Sequence, residues 1–241
     1  MILIGQYDSP FVRRVAIALT LYGIGFEHRP WSVWADADAL AAVNPLRRVP
    51  TLVLEGGETL IESGAILDAL DERGGAARAM RPAAGAARRR ALKLCALGSG
   101  LADKAVSLLY ERVLRATPSA TWVERCEAQI ESVLTVLEAD RAAARGPWWL
   151  GAAIGHADIM AGCALTFLGE AHPQRFDLDR WPALAAHRAR CEALPAFQSV
   201  RQPLSVAAEA DGRATAPQAF ARSSRSANRP RLQRPLGGPP A

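Results

Sequence analysis

The feature that most constrains the fold is a pair of short apolar runs separated by two adjacent glycines. The runs occupy residues 51–54 and 58–61, and Gly56 and Gly57 lie between them. Apolar runs joined by a glycine pair are typical of a β-hairpin. Because proline has no N–H to donate, Pro50 belongs at a strand start or in a special turn. The sequence therefore predicts a hairpin whose first strand follows a proline turn.

The residues on either side of this hairpin offer contacts for a ligand. A cis bond between Val49 and Pro50 would turn the Val49 N–H and C=O outward, toward the backbone of a ligand. After the hairpin, Glu62 and Ser63 introduce a helix that Ser63 is able to cap. A main-chain pairing site, a carboxylate and a helix N-terminus together suit a small peptide-like ligand that carries an ammonium group and a carboxylate.

The first third of the chain alternates strand and helix patterns. Residues 1–7 form an apolar strand pattern, and Pro10 suits the first position of a helix. A second strand is predicted over residues 26–32 and a short helix over 35–43, and the helix after the hairpin spans 63–72. The predicted order is βαβαββα, with a right-handed crossover between the first two strands.

Only helical periodicity follows this region, which indicates a second, all-α domain. We interpret residues 79–87 as a linker between an α/β domain at 1–78 and a helical bundle at 88–204. Residues 205–241 contain one aromatic residue and no periodicity, so they cannot bury enough apolar surface to offset their ordering entropy. This last segment is predicted to be disordered.

The basic character of the chain belongs to its last residues. The net charge is +5, but residues 205–241 hold six arginines against two acidic residues, a balance of +4. The remainder of the chain is therefore close to neutral, and no motif supports a contact with nucleic acid. We expect no nucleic-acid partner.

Composition and cysteine spacing are typical of a cytoplasmic protein. Of 241 residues, 50% are hydrophobic and 22% are charged. No apolar run reaches the ~18–20 residues that span a bilayer, and the chain starts as a strand without an export signal, so no membrane partner is expected. The four cysteines are widely spaced, without metal-ligand spacing, which favours buried reduced thiols and predicts no metal.

The order and spacing of three motifs resemble the glutathione-transferase superfamily, whose N-terminal half is a thioredoxin-like domain. The motifs are Asn44-Pro45-Leu46, Val49-Pro50 and Glu62-Ser63-Gly64-Ala65-Ile66. Later segments resemble the all-helical C-terminal domain of the family, namely Trp149-Leu150-Gly151 followed by Ala157-Asp158-Ile159, and Pro182-x-Leu184 followed by Pro195-Ala196-Phe197. The resemblance covers about residues 1–203. It implies a thioredoxin-like domain followed by a helical bundle, in a homodimer.

Asp158 is predicted to be structural. In the family its counterpart completes a capping box with a Ser or Thr three residues earlier. Gly155 occupies that position here, so only half of the box remains.

The candidate catalytic residue is Ser9. The segment from Ser9 to Val12 lies where thioredoxins carry Cys-x-x-Cys, and both cysteine positions are lost. A hydroxyl at a helix N-terminus remains, and such a terminus favours a nearby anion. The resemblance implies a glutathione thiolate there, accepting a hydrogen bond from Ser9. Two alternatives are that Ser9 is only an N-cap and that Tyr7 takes the catalytic role.

The resemblance also assigns contacts for the rest of glutathione. Ser63 would hold the γ-glutamyl carboxylate and Glu62 the ammonium group, while the main chain at Val49 and Pro50 pairs with the ligand backbone. Arg48 would reach the glycyl carboxylate. Each residue also has a structural interpretation, as a cap, a turn or a solvated charge.

Several neighbouring residues have more than one interpretation. Arg47 competes with Arg48 for the glycyl carboxylate. Arg13 and Arg14 are predicted on the exposed side of the first helix or at a subunit contact. Trp31 and Trp34 either flank the cleft or pack within the core and its rim.

We expect a glutathione transferase that acts on hydrophobic electrophiles. The electrophile pocket should lie between the first domain and the first long helix of the second, with Ser107 and Tyr110 as candidate lining residues. One alternative is a non-catalytic relative that binds proteins. Another is a glutathione-dependent isomerase or peroxidase on the same scaffold, because the same thiolate serves these chemistries.

Overall fold

The computed structural model describes residues 1–205. Within this range the chain folds into a small α/β domain and a helical domain. The predicted disordered tail lies, apart from Ser205, outside the described residues.

The first domain has the predicted order βαβαββα. Its elements are β1 (Ile2–Ile4), α1 (Pro10–Tyr22), β2 (Glu27–Arg29), α2 (Ala37–Val43), β3 (Thr51–Val53), β4 (Thr59–Ile61) and α3 (Ser63–Gly74). The strand order in the sheet is β2-β1-β3-β4, with β1 parallel to β2 and antiparallel to β3, and with β3 antiparallel to β4. This confirms the thioredoxin-like layout.

Local sequence signals explain the ends of α1. Ser9 is the N-cap, and its hydroxyl accepts a hydrogen bond from the Val12 N–H. Pro10 takes the first helical position, where its missing N–H costs nothing. Gly23 ends the helix in the left-handed conformation, with φ of 68°.

The second domain is helical throughout. Its elements are α4 (Gly85–Leu114), α5 (Ala120–Ala143), α6 (His156–Ala171), a 3-10 turn (Leu178–Arg180), α7 (Pro182–Glu192) and α8 (Pro195–Gln198). The α4 helix begins slightly before residue 88, where the sequence pattern placed its start. The α6 helix is central, since His156 to Leu168 are all buried.

The α1 helix is covered on both sides, which makes the exposed placement predicted for two arginines wrong. Arg13 and Arg14 are only 4% and 5% exposed, because the sheet covers one side of α1 and the second domain the other. Arg13 donates to both carboxylate oxygens of Glu192, at 2.6 and 2.7 Å. Arg14 approaches the Met160 sulfur at 2.8 Å.

Asp158 makes the hydrogen bonds of a structural residue. Its Oδ2 accepts from the Gly155 N–H and its Oδ1 accepts from the Trp149 N–H, each at 2.9 Å. Burial raises the pKa of this carboxyl, and these backbone hydrogen bonds act in the opposite direction. Because Gly155 has no side chain, only the half of the capping box that runs from Asp158 is present, as predicted.

The described residues also bear on the predictions about membranes, metals and cysteines. Among residues 1–205, no helix is long and apolar enough to cross a membrane. The same residues contain no group of three or more His, Cys, Asp or Glu side chains that could hold a metal ion. Cys126, Cys163 and Cys191 are buried free thiols, and Cys95 is partly buried.

Candidate active site

A cleft of about 580 Å³ opens at the N-terminal end of α1. Ser9, Arg48 and Val49 line it on the side of the first domain. The α4 helix lines the opposite side. The structure thus brings the candidate catalytic residue and two of the candidate ligand contacts to one cavity between the domains.

The Ser9 side chain caps α1, and Ser9 lines the cleft. Its Oγ lies 3.4 Å from the Val12 nitrogen, which is long for an N–H···O hydrogen bond. A hydroxyl that accepts through a lone pair still has its proton to donate. The capping and ligand-binding interpretations of Ser9 are therefore compatible in one geometry.

The turn before β3 is held against the start of α1. The Val49–Pro50 bond is cis, as the sequence analysis anticipated. Within residues 1–205 the Val49 N–H and carbonyl make no hydrogen bond. They lie beside the cleft as an unpaired donor and acceptor, which is the arrangement needed to pair with a ligand backbone.

Two residues hold this turn in place: Gly5, which the sequence analysis missed, and Asn44, which it named in a motif without giving it a role in the site. Gly5 has φ of +127°, and a Cβ there would lie 2.5 Å from Val12 Cγ2 and 2.8 Å from Val49 Cβ. Asn44 is buried and donates from Nδ2 to the Arg48 carbonyl at 2.9 Å. The position of Gly5 directly after an apolar strand could have indicated its role. The position of Asn44 before the proline turn could have done the same.

The start of α3 differs from the prediction in one respect. Ser63 does not cap the helix: it is the first helical residue and is 4% exposed, while Glu62 occupies the N-cap position. Glu62 has φ of 64° and makes no side-chain capping hydrogen bond. A non-glycine residue in this left-handed region costs energy, and such strain is often found at ligand-binding sites. The conformation leaves the Glu62 carboxylate available to other partners.

The predicted ligand residues form two neighbouring groups. Arg48 and Val49 line the cleft. Pro50, Glu62 and Ser63 are not among the described residues that line it. Arg48 connects the groups, because its Nη1 lies 3.5 Å from Glu62 Oε1. Both side chains are 58% exposed, so this ion pair contributes little to stability and can exchange for a charged ligand.

The lining of the cleft is largely apolar. Trp31 and Trp34 line it from the first domain, and Ser107 and Tyr110 line it from α4. The rings of Trp34 and Tyr110 meet edge to face, with centroids 5.5 Å apart, so they form a contact between the two domains. Both tryptophans therefore flank the cleft, and Ser107 and Tyr110 are among its lining residues.

Tyr7 has the environment of a packing residue. Its ring stacks on His28 with centroids 3.8 Å apart, and burial raises the pKa of its hydroxyl. Among the described residues it does not line the cleft. Asp8 does line the cleft, and burial raises the pKa of its carboxyl, opposed by hydrogen bonds from the Ser205 and Ser9 backbone.

Comparison with known proteins identifies the family. Residues 3–78 match the family described as "Glutathione S-transferase, N-terminal domain". Residues 120–190 match the family described as "Glutathione S-transferase, C-terminal domain". The chain belongs to the glutathione S-transferase superfamily.

Individual relatives agree with this assignment. The uncharacterized GST-like protein YibF of Escherichia coli (strain K12) is 35% identical over 142 residues, which cover 57% of this chain and 68% of that protein. A crystal structure of a glutathione S-transferase from Methylobacterium radiotolerans, in complex with glutathione sulfonate, superposes with a TM-score of 0.77 at 30% identity. The superposition covers 85% of this chain and 97% of that one.

A third relative has a different activity in its name. The maleylacetoacetate isomerase of Pseudomonas aeruginosa is 40% identical over 72 residues, which cover 28% of this chain and 34% of that protein. The match is limited to part of each chain.

Proposed function

We propose that this protein is a glutathione transferase that activates the glutathione thiol at the N-terminus of α1. The observation that carries the proposal is the unpaired Val49 main chain at the same cleft as the Ser9 hydroxyl. The Methylobacterium radiotolerans relative was crystallised with glutathione sulfonate, which supports a glutathione site in this fold.

Each end of glutathione has a proposed contact. The main chain at Val49 and Pro50 pairs with the central cysteinyl unit. The Glu62 carboxylate binds the ammonium group, and Ser63 with the first turn of α3 binds the γ-glutamyl carboxylate, since helix N-termini favour anions. Arg48 binds the glycyl carboxylate and exchanges its exposed pairing with Glu62 for the ligand.

The proposed chemistry is nucleophilic attack by the thiolate. A free thiol has a pKa of about 8.5, and a helix N-terminus lowers it by one to several units. The Ser9 hydroxyl donates a hydrogen bond to the sulfur, which stabilises the charged form further. The thiolate then forms a bond to an electrophilic carbon of an acceptor held in the apolar part of the cleft, and the leaving group departs with its electron pair. No metal takes part.

We also propose the organisation around this site. The first domain spans residues 1–78, the linker 79–87 and the helical domain 88–204. The protein forms a homodimer in the cytoplasm and acts in detoxification, with glutathione and a small hydrophobic electrophile as its partners.

Two measurements on the full chain test the function. Calorimetric titration should show saturable binding of glutathione, and Glu62→Ala should weaken it about tenfold because an ammonium contact is lost. A chlorinated nitroaromatic should then be conjugated in the presence of glutathione. Absence of binding at millimolar glutathione would refute the proposal.

The alternatives, a non-catalytic module and an isomerase or peroxidase, predict different outcomes in binding and activity assays. Binding without turnover on a panel of electrophiles would favour a non-catalytic interaction module. Glutathione-dependent rearrangement of an unsaturated acid without net consumption of glutathione would favour an isomerase, the activity for which the Pseudomonas aeruginosa relative is named. Reduction of a hydroperoxide would favour a peroxidase.

A further inference from the structure

The last residues that the structure describes run along the rim of the cleft. We call residues 201–205 the rim segment. It follows α8 and has no regular secondary structure. Its residues contact both domains beside Ser9, so the segment forms part of the boundary of the site.

The rim segment is attached to the first domain near the catalytic loop. The Gln202 Oε1 accepts a hydrogen bond from the Tyr7 N–H at 3.0 Å. Tyr7 lies two residues before Ser9 in the chain. A displacement of Gln202 would therefore be transmitted directly to the loop that positions the candidate catalytic hydroxyl.

The same segment is attached to the second domain through two carboxylates, those of Glu170 and Glu192. The Leu204 N–H donates to Glu170 Oε2 at 3.0 Å, and Arg201 donates to Glu170 Oε1. Arg201 also lies 3.6 Å from Glu192 Oε2. Arg201, Gln202 and Leu204 thus attach the rim segment to α6, to α7 and to the loop before α1.

Leu204 is the apolar residue that this attachment directs toward the site. Its side chain packs against the core of the helical domain and lines the cleft, together with Phe11 and Phe167. The cleft side of the rim segment is thus an apolar side chain fixed by the hydrogen bond of its own N–H and by the side-chain hydrogen bonds of Arg201 and Gln202 before it.

We propose that Leu204 is a specificity-determining residue for the acceptor, and that Gln202 is a positioning residue that holds it over the cleft. The proposal rests on the proposed transferase function. Leu204 contacts the apolar group attached to sulfur, in the part of the cleft that it lines with Phe11 and Phe167. Acceptors whose apolar part reaches Leu204 gain affinity. Glutathione alone does not, because its sulfur carries no apolar group.

The test compares two ligands on the full chain. Glutathione and S-hexylglutathione share the peptide part, and only the second has a hexyl chain beyond the sulfur. Leu204→Ala should raise the Kd of S-hexylglutathione about three- to tenfold, because apolar contact with the hexyl chain is lost. It should leave the Kd of glutathione within about twofold. Leu114→Ala removes an exposed leucine from α4 outside the cleft and should change neither value.

A second variant tests the positioning role. Gln202→Ala should reproduce the selective loss for S-hexylglutathione to a smaller degree, whereas Gln198→Ala, which alters an exposed glutamine of α8, should not. Equal weakening of both ligands by Leu204→Ala, or no change in either, would overturn the proposal.

A dye-binding experiment distinguishes a failure of this proposal from a failure of the proposed transferase function. Binding of 8-anilinonaphthalene-1-sulfonate, followed by its fluorescence, reports on the apolar cleft without glutathione. If the wild-type chain bound neither glutathione ligand, the transferase proposal would fail. A weaker dye affinity in Leu204→Ala than in Leu114→Ala would still support the assignment of Leu204, and equal dye affinities would refute it.

Discussion

At the scale of single residues, the proposed function gives one hydroxyl two partners. The Ser9 Oγ accepts from the Val12 N–H at 3.4 Å, and its own proton remains for the hydrogen bond proposed to the glutathione sulfur. The length of the capping bond suits this division, because a weak acceptor role leaves the hydroxyl free to rotate toward a ligand. Loss of Ser9 should therefore affect helix stability and chemistry separately.

We expect Ser9→Ala to lower kcat about 10- to 100-fold, since a hydrogen bond to a charged sulfur contributes roughly 1.5–3 kcal/mol. The Kd of glutathione should change by less than about threefold, because the peptide contacts remain. Steady-state kinetics and calorimetry together provide both values.

A matched control for this substitution exists in the same chain. Ser119 caps α5 by accepting from the Trp122 N–H, also at 3.4 Å. Ser119→Ala and Ser9→Ala should each cost about 1 kcal/mol of stability, but only Ser9→Ala should lower kcat. Equal kinetic effects would reduce Ser9 to a cap.

Gly5 provides a second prediction at this scale. Gly5→Ala should destabilise the protein by roughly 2–4 kcal/mol, because the new Cβ collides with Val12 and Val49 and the backbone at φ of +127° suits glycine. Gly56→Ala is the control, since nothing lies within 4 Å of its added Cβ. Urea unfolding measures both, and similar midpoints would contradict the close approach of the Val49 turn.

At the scale of elements, α1 is joined to α7 by a partly buried ion pair. Arg13 donates to both oxygens of Glu192, and the Thr166 hydroxyl donates to one of them. Burial alone would raise the pKa of Glu192, but the hydrogen bonds from Arg13 and Thr166 outweigh it and hold the pKa below its ordinary value. The pair stabilises the fold only while the carboxyl is ionised.

Removing this pair should cost stability in a pH-dependent way. Arg13→Met should lower the free energy of unfolding by roughly 2–4 kcal/mol near neutral pH, because the partly buried Glu192 carboxylate loses both hydrogen bonds from Arg13. A lowered pKa contributes stability above the unfolded value of about 4.3 and loses it as the pH falls through the folded value.

The deficit of Arg13→Met should therefore be largest near neutral pH and shrink in acid, because Glu192 is protonated first in the variant, which lacks the lowering by Arg13, and then in the wild type. Urea unfolding over this range measures it. Arg29→Met breaks an exposed pair with Glu27 and should cost less than about 1 kcal/mol. A deficit that persisted unchanged in acid would contradict the assigned role of Glu192.

Helix α1, the hairpin and the start of α3 show which features the sequence could and could not predict. The cap at Ser9, the proline after it and the Gly56–Gly57 hairpin depend on neighbouring residues, so local patterns predicted them. The burial of Arg13 depends on Glu192, which lies far away in the chain. The left-handed Glu62 escaped prediction because this conformation is uncommon outside glycine.

At the scale of the whole molecule, the cleft belongs to neither domain alone. Ser9 and Val49 come from the first domain, and Tyr110 and Leu204 come from the second. The family resemblance predicted that such a cleft exists, and its assignment of glutathione contacts stays a prediction. It left open the rim at Leu204, because that contact joins distant parts of the chain.

The central claim is that the N-terminus of α1 holds glutathione as a thiolate, and an ultraviolet titration of the bound thiol tests it most directly. The absorbance of the thiolate is followed against pH in the wild-type complex and in the Ser9→Ala complex. We expect the wild-type complex to titrate at least about one unit below the free thiol value of about 8.5, and Ser9→Ala to titrate closer to that value. A bound thiol that titrates like free glutathione in both proteins would contradict the account.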